Sequence, residues 1–363
     1  RTEPVGHDGY ERLTGHAYGE LDPQHPLNVI ITDLEFAPRN ARGMVEYSTT
    51  FTILKPADLG NASGVLLYFV PNRGRMNLTG DAFLVDAREQ GHVLVVSGWQ
   101  GDLEPADGTE TLAVPVAKYP DGSSITGPVL SRFSNMPAGA STLPILRGGV
   151  AGTADPANLD TSKATLTRRA SDNGQVVPIR SSDWAFADCS RTPFPGTPDP
   201  RRVCLRGGFD PAYLYELVYT AKDPEVLGIG FAATRDLISH LRYGARSSSA
   251  TPNPLDGRIT STVSFGDSQS GTYLRGFIHL GFNQDQEGRI VFDGSNPNIS
   301  ARLLAMNIRF AAPSAGALMY EAGSDGVLWW SGYEDHARGR PQGALLDRCT
   351  ATDTCPKIVD TFG

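Results

Sequence analysis

The sequence lacks several features that would narrow its role at once. No stretch reaches about 18 consecutive apolar residues, so nothing in it reads as a helix spanning a bilayer. The 32 basic residues are scattered and outnumbered by 40 acidic ones, giving a formal charge of −8. Nothing here could track a phosphate backbone, which argues against a nucleic-acid partner. Histidine is scarce, at seven residues. No Cys-x-x-Cys occurs and no histidine flanks a cysteine pair, so neither a zinc site nor any other metal or cofactor is expected. The start, Arg1-Thr2-Glu3-Pro4, has no apolar signal core, so a signal was either never present or has been removed. No internal repeat is visible.

What remains is a globular balance of 40% hydrophobic and 20% charged residues in 363 positions. That is enough for one large domain or two ordinary ones. Glycine (40) and proline (26) are both frequent, which implies many turns. The four cysteines form two local pairs, Cys189 with Cys204 and Cys349 with Cys355. A bridge closing a loop of about 15 residues contributes roughly 3 kcal/mol in the chain-entropy model. Two disulfides are expected, and with them a secreted or periplasmic location. The competing reading is four reduced, partly buried thiols.

Residues 1–25 are polar and turn-rich. Asn28 to Thr32 reads as a strand, and Gly43 to Leu54 as a second, with Val45, Tyr47, Thr49 and Phe51 on one face. Gly64 to Val70 is a continuous apolar run, the pattern of a strand buried on both faces. Asp81 to Gln90 reads as a helix and Val93 to Val96 as another buried strand. Strand, loop, helix, strand is the rhythm of a parallel sheet. Residues 105–205 break it with Pro, Gly, Ser and Thr and with short alternating segments such as Thr111 to Val116 and Ala164 to Thr167. They read as an inserted β-rich subdomain, placed where it could cover a site; long surface loops are the alternative. The division expected is 1–104 for the first part of the core, 105–205 for the insertion and 206–363 for the rest of the core. In that last part Asp223-Pro224 reads as a helix start and Gly244 as its stop. Ile259 to Phe265 reads as a strand, Thr272 to Phe282 as a helix, Arg289 to Phe292 as a strand ending at Asp293, and Pro356 to Val359 as a strand ending at Asp360.

Gly266-Asp267-Ser268-Gln269-Ser270-Gly271 lies between an apolar strand and a helix. A nucleophile elbow needs that context, with small residues two before and two after the serine, here Gly266 and Ser270. It puts the hydroxyl at a helix N-terminus, where the Gln269 N–H can donate to a developing oxyanion. A bare Gly-x-Ser-x-small match is weak; the strand before and the helix after give it weight. The expectation is an α/β-hydrolase fold, a mostly parallel sheet with flanking helices, with Ser268 as nucleophile. A second oxyanion donor usually comes from the loop after the third strand, here Asn72, Arg73 and Gly74. Trp99 and Gln100, at the end of a neighbouring strand, are candidates to line the pocket and equally candidates for packing.

Other readings of these residues are weaker. Gly-Asp-Ser surrounds the serine of chymotrypsin-like proteases, but those are all-β. It also opens the motif of the lipases named for Gly-Asp-Ser-Leu, which lies near the N-terminus. Gly228-Ile229-Gly230 mimics part of a dinucleotide fingerprint inside a helix, where close packing explains it.

A triad in this fold runs Ser, then acid, then His along the chain. Asp360 and Asp293 are the candidate acids at strand ends. Only His279 and His336 follow Ser268. His279 points away from the helix start, so His336, out of order, is the candidate base. The simpler account is that the chain shown stops short of the base.

The sequence resembles a bacterial family of large, often exported, mostly uncharacterised serine esterase-like proteins with an α/β-hydrolase domain. The resemblance runs from about Tyr10 to the last residue. It is carried by Asp33–Asn40 (DLEFAPRN), Val70–Gly74 (VPNRG), Ser97–Leu103 (SGWQGDL), Phe209–Leu227 (FDPAYLYELVYTAKDPEVL), Gly266–Asn283 (GDSQSGTYLRGFIHLGFN) and Val291–Gly294 (VFDG). It implies the hydrolase fold and Ser268 as nucleophile. It also implies that such proteins continue past a stretch like Pro356–Gly363, with a glutamate acid just after this strand and a histidine on a later loop. That expectation weakens Asp360 and makes the remainder of the chain, or a second fragment, a partner that completes the fold.

The function expected is hydrolysis of a carboxylic ester, small or polymeric, through an acyl-enzyme on Ser268. An amidase, peptidase or acyltransferase would use the same machinery. The alternatives outside that class are a binding protein with a degenerate triad and a carbohydrate-binding surface built on Trp329-Trp330.

Overall fold

Two apolar runs, Val65–Phe69 (β4) and Val93–Ser97 (β5), are almost entirely buried and lie side by side in parallel. In the computed structural model they form the middle of a nine-stranded mixed sheet. Residues 1–5, 9–147, 150–151, 154–244, 253–255, 257–300, 306–313, 327–337 and 339–361 are described. Thr2–Val5 (β1), Tyr10–Leu21 (β2) and Val45–Pro56 (β3) form an antiparallel meander that meets β5, and Leu112–Ala113 (β6) pairs beside it on β3. On the other side β4 pairs in parallel with Ser261–Asp267 (β7), which is followed by Gly294–Asn298 (β8) and Lys357–Ile358 (β9). The order is therefore β1-β2-β3-β5-β4-β7-β8-β9.

Helix Ala82–Glu89 (α1) opens on Asp81, whose carboxylate accepts from Phe83 N–H. Its Leu84 and Ala87 pack with Leu67, Phe69, Leu94 and Val96 on one face of the sheet. Side chains alternate along a strand, so Leu66 and Tyr68 face the other way. There Ile229–Tyr243 (α2) and Gln269–His279 (α3) pack. Tyr68 stacks on Phe292 at 5.7 Å and bonds Thr234 of α2, and Phe231 stacks on Tyr273 of α3 at 4.9 Å. A side chain at Gly230 would collide with the Trp99 carbonyl, so the glycine there serves close packing.

Four sequence expectations differ from what the chain does. Asn28 to Thr32 is a turn: Asn28 N–H donates to His25 and Ile31 N–H to Asn28, and Ile31 is buried as an anchor. The polar stretch Tyr10–Leu21 is a twelve-residue strand. Gly19 faces Tyr47 on β3 and leaves room for its ring. Asp223-Pro224 ends a strand, Leu214–Lys222, and α2 begins later at Ile229; Asp223 has φ 56, which breaks the chain direction there. Arg289 to Phe292 is not a strand. Val291 and Phe292 are core residues held by Asn283, and β8 begins after them, at Gly294.

This sheet and its helices belong to one compact unit, Arg1–Pro115, Val226–Ile308 and Gly316–Gly363. The other unit is Val116–Glu225 with Arg309–Ala315. Its largest sheet is antiparallel, in the order Val177–Ile179, Thr165–Arg169, Leu214–Lys222, Thr126–Phe133. Its core gathers Phe133, Trp184, Phe186, Phe209, Tyr215 and Tyr219. Glu216 binds Arg132 and Arg169 together, at 2.6 and 2.7 Å. Both cysteine pairs are disulfides, Cys189–Cys204 in this unit and Cys349–Cys355 in the other, where Cys349 lies within the short helix Asp347–Ala351 (α4). Among the described residues no helix is long and apolar enough to cross a membrane.

Candidate active site

Strand β7 ends at Asp267, α3 begins at Gln269, and Ser268 alone makes the turn, at φ 56 and ψ −109. A non-glycine residue in such a conformation costs about 1–3 kcal/mol and persists only where its surroundings impose it. Here they do. Ser268 N–H donates to Asn298 O at 2.9 Å, and Ser268 O accepts from both the N–H and the hydroxyl of Thr272, each at 2.9 Å. Asn298 also donates to the Asp267 carboxylate at 2.6 Å, fastening the ends of β7 and β8.

Glycine makes the turn sterically possible. A Cβ on Gly266 would lie 2.5 Å from Ser270 O, and one on Gly271 2.5 Å from Asn298 O. Real Cβ atoms do not approach backbone that closely, so strand and helix meet there only without side chains. The Ser268 side chain is exposed and does not cap its own helix; among the described residues its hydroxyl has no hydrogen-bond partner. It lies beside the positive end of the α3 dipole.

The loop after β4 is tied to this elbow. Asn72 Oδ1 accepts from Ser270 N–H at 3.2 Å and Ser270 Oγ at 2.6 Å. Arg73 and Gly74 both have positive φ, 49 and 72, which turns the loop sharply. Trp99, a pocket candidate in the sequence, is fully buried. It packs on Tyr273 at 4.5 Å and donates Nε1–H to Pro71 O at 2.8 Å. It therefore holds the loop and cannot line a pocket. Gln100 is also buried, with Nε2 3.5 Å from Asp102. Gln269, the candidate oxyanion donor, opens α3 with its side chain buried.

Beside the elbow, on the α1 face of the sheet, lies a cavity of about 300 Å³. Gly266, Asp267 and Asn72 reach it from the elbow and its loop, and Phe69, Phe83 and Phe265 line it with aromatic rings.

Residues 176–362 match the alpha/beta hydrolase domain family. The chain belongs to that family. No curated protein and no solved structure matches it.

In this chain the remaining candidates lie apart from the serine. Asp293 precedes β8, where Gly294 pairs with Val263 of β7. Five residues of strand, roughly 16 Å, separate that level from Ser268. Its carboxylate accepts from Thr262 N–H at 2.8 Å and Arg242 at 3.0 Å, at the opposite edge of the sheet. Asp360 follows β9 and is held by Arg275 at 2.9 Å and Trp330 Nε1–H at 2.7 Å. Arg275 is about two turns along α3 from Ser268. It is buried and lies 4.7 Å from the Trp330 ring, and burial lowers its pKa against the opposing pull of Asp360. His336 is exposed on the hairpin Tyr333–Asp335 and Arg340–Gly343, 3.6 Å from Glu334. His279 ends α3, about three turns from the serine. Among the described residues no hydrogen bond links either histidine or either aspartate to Ser268.

Sequence reasoning named Gly266 and Ser270 but assigned nothing to Asn298, Gly271 or Arg275. Gly271 and Arg275 lie within the same run as the serine, GDSQSGTYLR, and Gly271 could have been found from the need for helix–strand approach. Asn298, in the polar stretch Gly294–Asn298, carries no such signal.

Proposed function

We propose that the chain hydrolyses carboxylic esters through an acyl-enzyme on Ser268. The observation that carries this is the strained Ser268 backbone, φ 56 and ψ −109, presenting an exposed, uncapped hydroxyl at the start of a buried helix. A serine that only turned the chain would not need that conformation. Ser268 Oγ attacks the ester carbonyl, and the Gln269 N–H, with an N–H from the Asn72–Gly74 loop, holds the oxyanion. The alcohol leaves with a proton, water attacks the acyl-serine, and the acid is released. The proton relay needs a histidine held by an acid, and among the described residues no histidine bonds Ser268. The two disulfides support a secreted or periplasmic location.

The test is hydrolysis of simple esters by the wild type and by Ser268→Ala. Loss of all activity above background in the variant supports the reading; equal activity overturns it. One observation favours a second reading, a binding protein without turnover: neither later histidine bonds Ser268. Ester turnover by the wild type excludes it.

A further inference from the structure

We propose that the cavity beside the elbow receives an aryl ring of the ester, on its acyl or its alcohol side. The inference rests on the ester-hydrolase reading of Ser268. Register places Phe69, Phe265 and Asn296 in one row across β4, β7 and β8, three residues before Ser268 on β7. That row is the cavity floor. Phe265 stacks on Phe69 at 5.2 Å, and Phe83 tilts over Phe265 at 5.5 Å.

Phe83 and Met76 are 48% and 41% exposed. Single exposed apolar side chains are ordinary. These two converge on one concavity that also touches Asp267, the residue before Ser268.

Each of the polar side chains around the cavity already has one atom engaged. Asn72 Oδ1 is held by Ser270, the Asp81 carboxylate by Phe83 N–H, and the Asp267 carboxylate by Asn298. Asn296 donates to Val359 O at 2.7 Å, and Arg75 Nε to Thr109 at 3.2 Å. A sugar or a charged group placed there would lie against the rings of Phe69, Phe83 and Phe265. An aryl ring needs only the ring edges and faces, where tilted contacts are favourable. The volume suits it: a cavity of about 150 Å³ already holds benzene, and about 300 Å³ takes one ring with a short linker. A polymer chain does not fit inside.

The experiment compares kcat/KM for three esters: phenyl acetate, methyl phenylacetate and an aliphatic ester of matched size. It is run on the wild type, Phe83→Ala and Met76→Ala, with melting curves to confirm folding. The readout is the aryl-to-aliphatic ratio relative to wild type, because phenyl esters are intrinsically more reactive. For at least one aryl ester the ratio falls about tenfold in Phe83→Ala, the range for losing an apolar pocket wall. Which one falls shows whether the ring sits on the alcohol or the acyl side. Ratios unchanged in both folded variants overturn the pocket and leave the serine reading intact. Hydrolysis that persists in Ser268→Ala overturns both.

Discussion

Asn72 Oδ1 accepts two hydrogen bonds from Ser270, one from its N–H and one from its hydroxyl. One side chain thus fixes the loop after β4 against the first turn of α3, which are the two sources of oxyanion donors in this fold. The amide oxygen is an acceptor here, so Asn72 acts by positioning.

Asn72→Ala should lower kcat by on the order of 10- to 100-fold with little change in KM, because misplaced donors weaken the transition state more than the ground state. Asn72→Asp keeps an acceptor at the same place and should restore most of the rate. If alanine and aspartate behave alike, or KM alone changes, the positioning role is wrong.

The elbow also makes a stability prediction. Gly266→Ala and Gly271→Ala each force a methyl group against backbone, 2.5 Å from Ser270 O and from Asn298 O. Backbone cannot move aside as a flexible side chain can. Each variant should lose roughly 1–3 kcal/mol, as overpacked sites do, read from the urea midpoint at constant slope. Variants as stable as wild type would mean that strand and helix stand farther apart.

These positions show what the sequence made legible. β4 and β5 are readable because a strand buried on both faces must be apolar throughout. The elbow is readable because its chemistry demands a serine between strand and helix. β2 hides because glycine at 19 makes room for a facing aromatic, leaving little apolar pattern of its own. β8 hides because its sequence is Gly-Ser-Asn-Pro-Asn, while the apolar residues before it, Val291 and Phe292, serve the core. That shift turned Asp293 from a residue at the serine's edge of the sheet into one at the far edge. Trp99 and Asp360 were visible as strand-end residues. Their partners, Pro71 O for one and Arg275 with Trp330 for the other, depend on long-range packing that no local pattern encodes.

His279, at the end of α3, yields a pH prediction. Burial first, and Arg348 second, hold its pKa below the ordinary 6.5, against the pull of Asp347. Burial alone acts in the same direction on His240 and His92. Their protons therefore bind more readily to the unfolded chain. Their contribution is whole above 6.5 and is lost as pH falls through that value towards the lowered folded pKa. His279→Gln should flatten the fall in unfolding free energy between about pH 7 and about pH 5. An unchanged slope would show that this histidine is protonated as easily in the folded chain as in the unfolded one.

The central claim concerns one hydroxyl. Intact-mass analysis after treatment with a small fluorophosphonate, followed by peptide mapping, tests it most directly. The account predicts a single adduct per chain, located on Ser268, and none on Ser268→Ala. An adduct on another residue, or equal labelling of the variant, would contradict it.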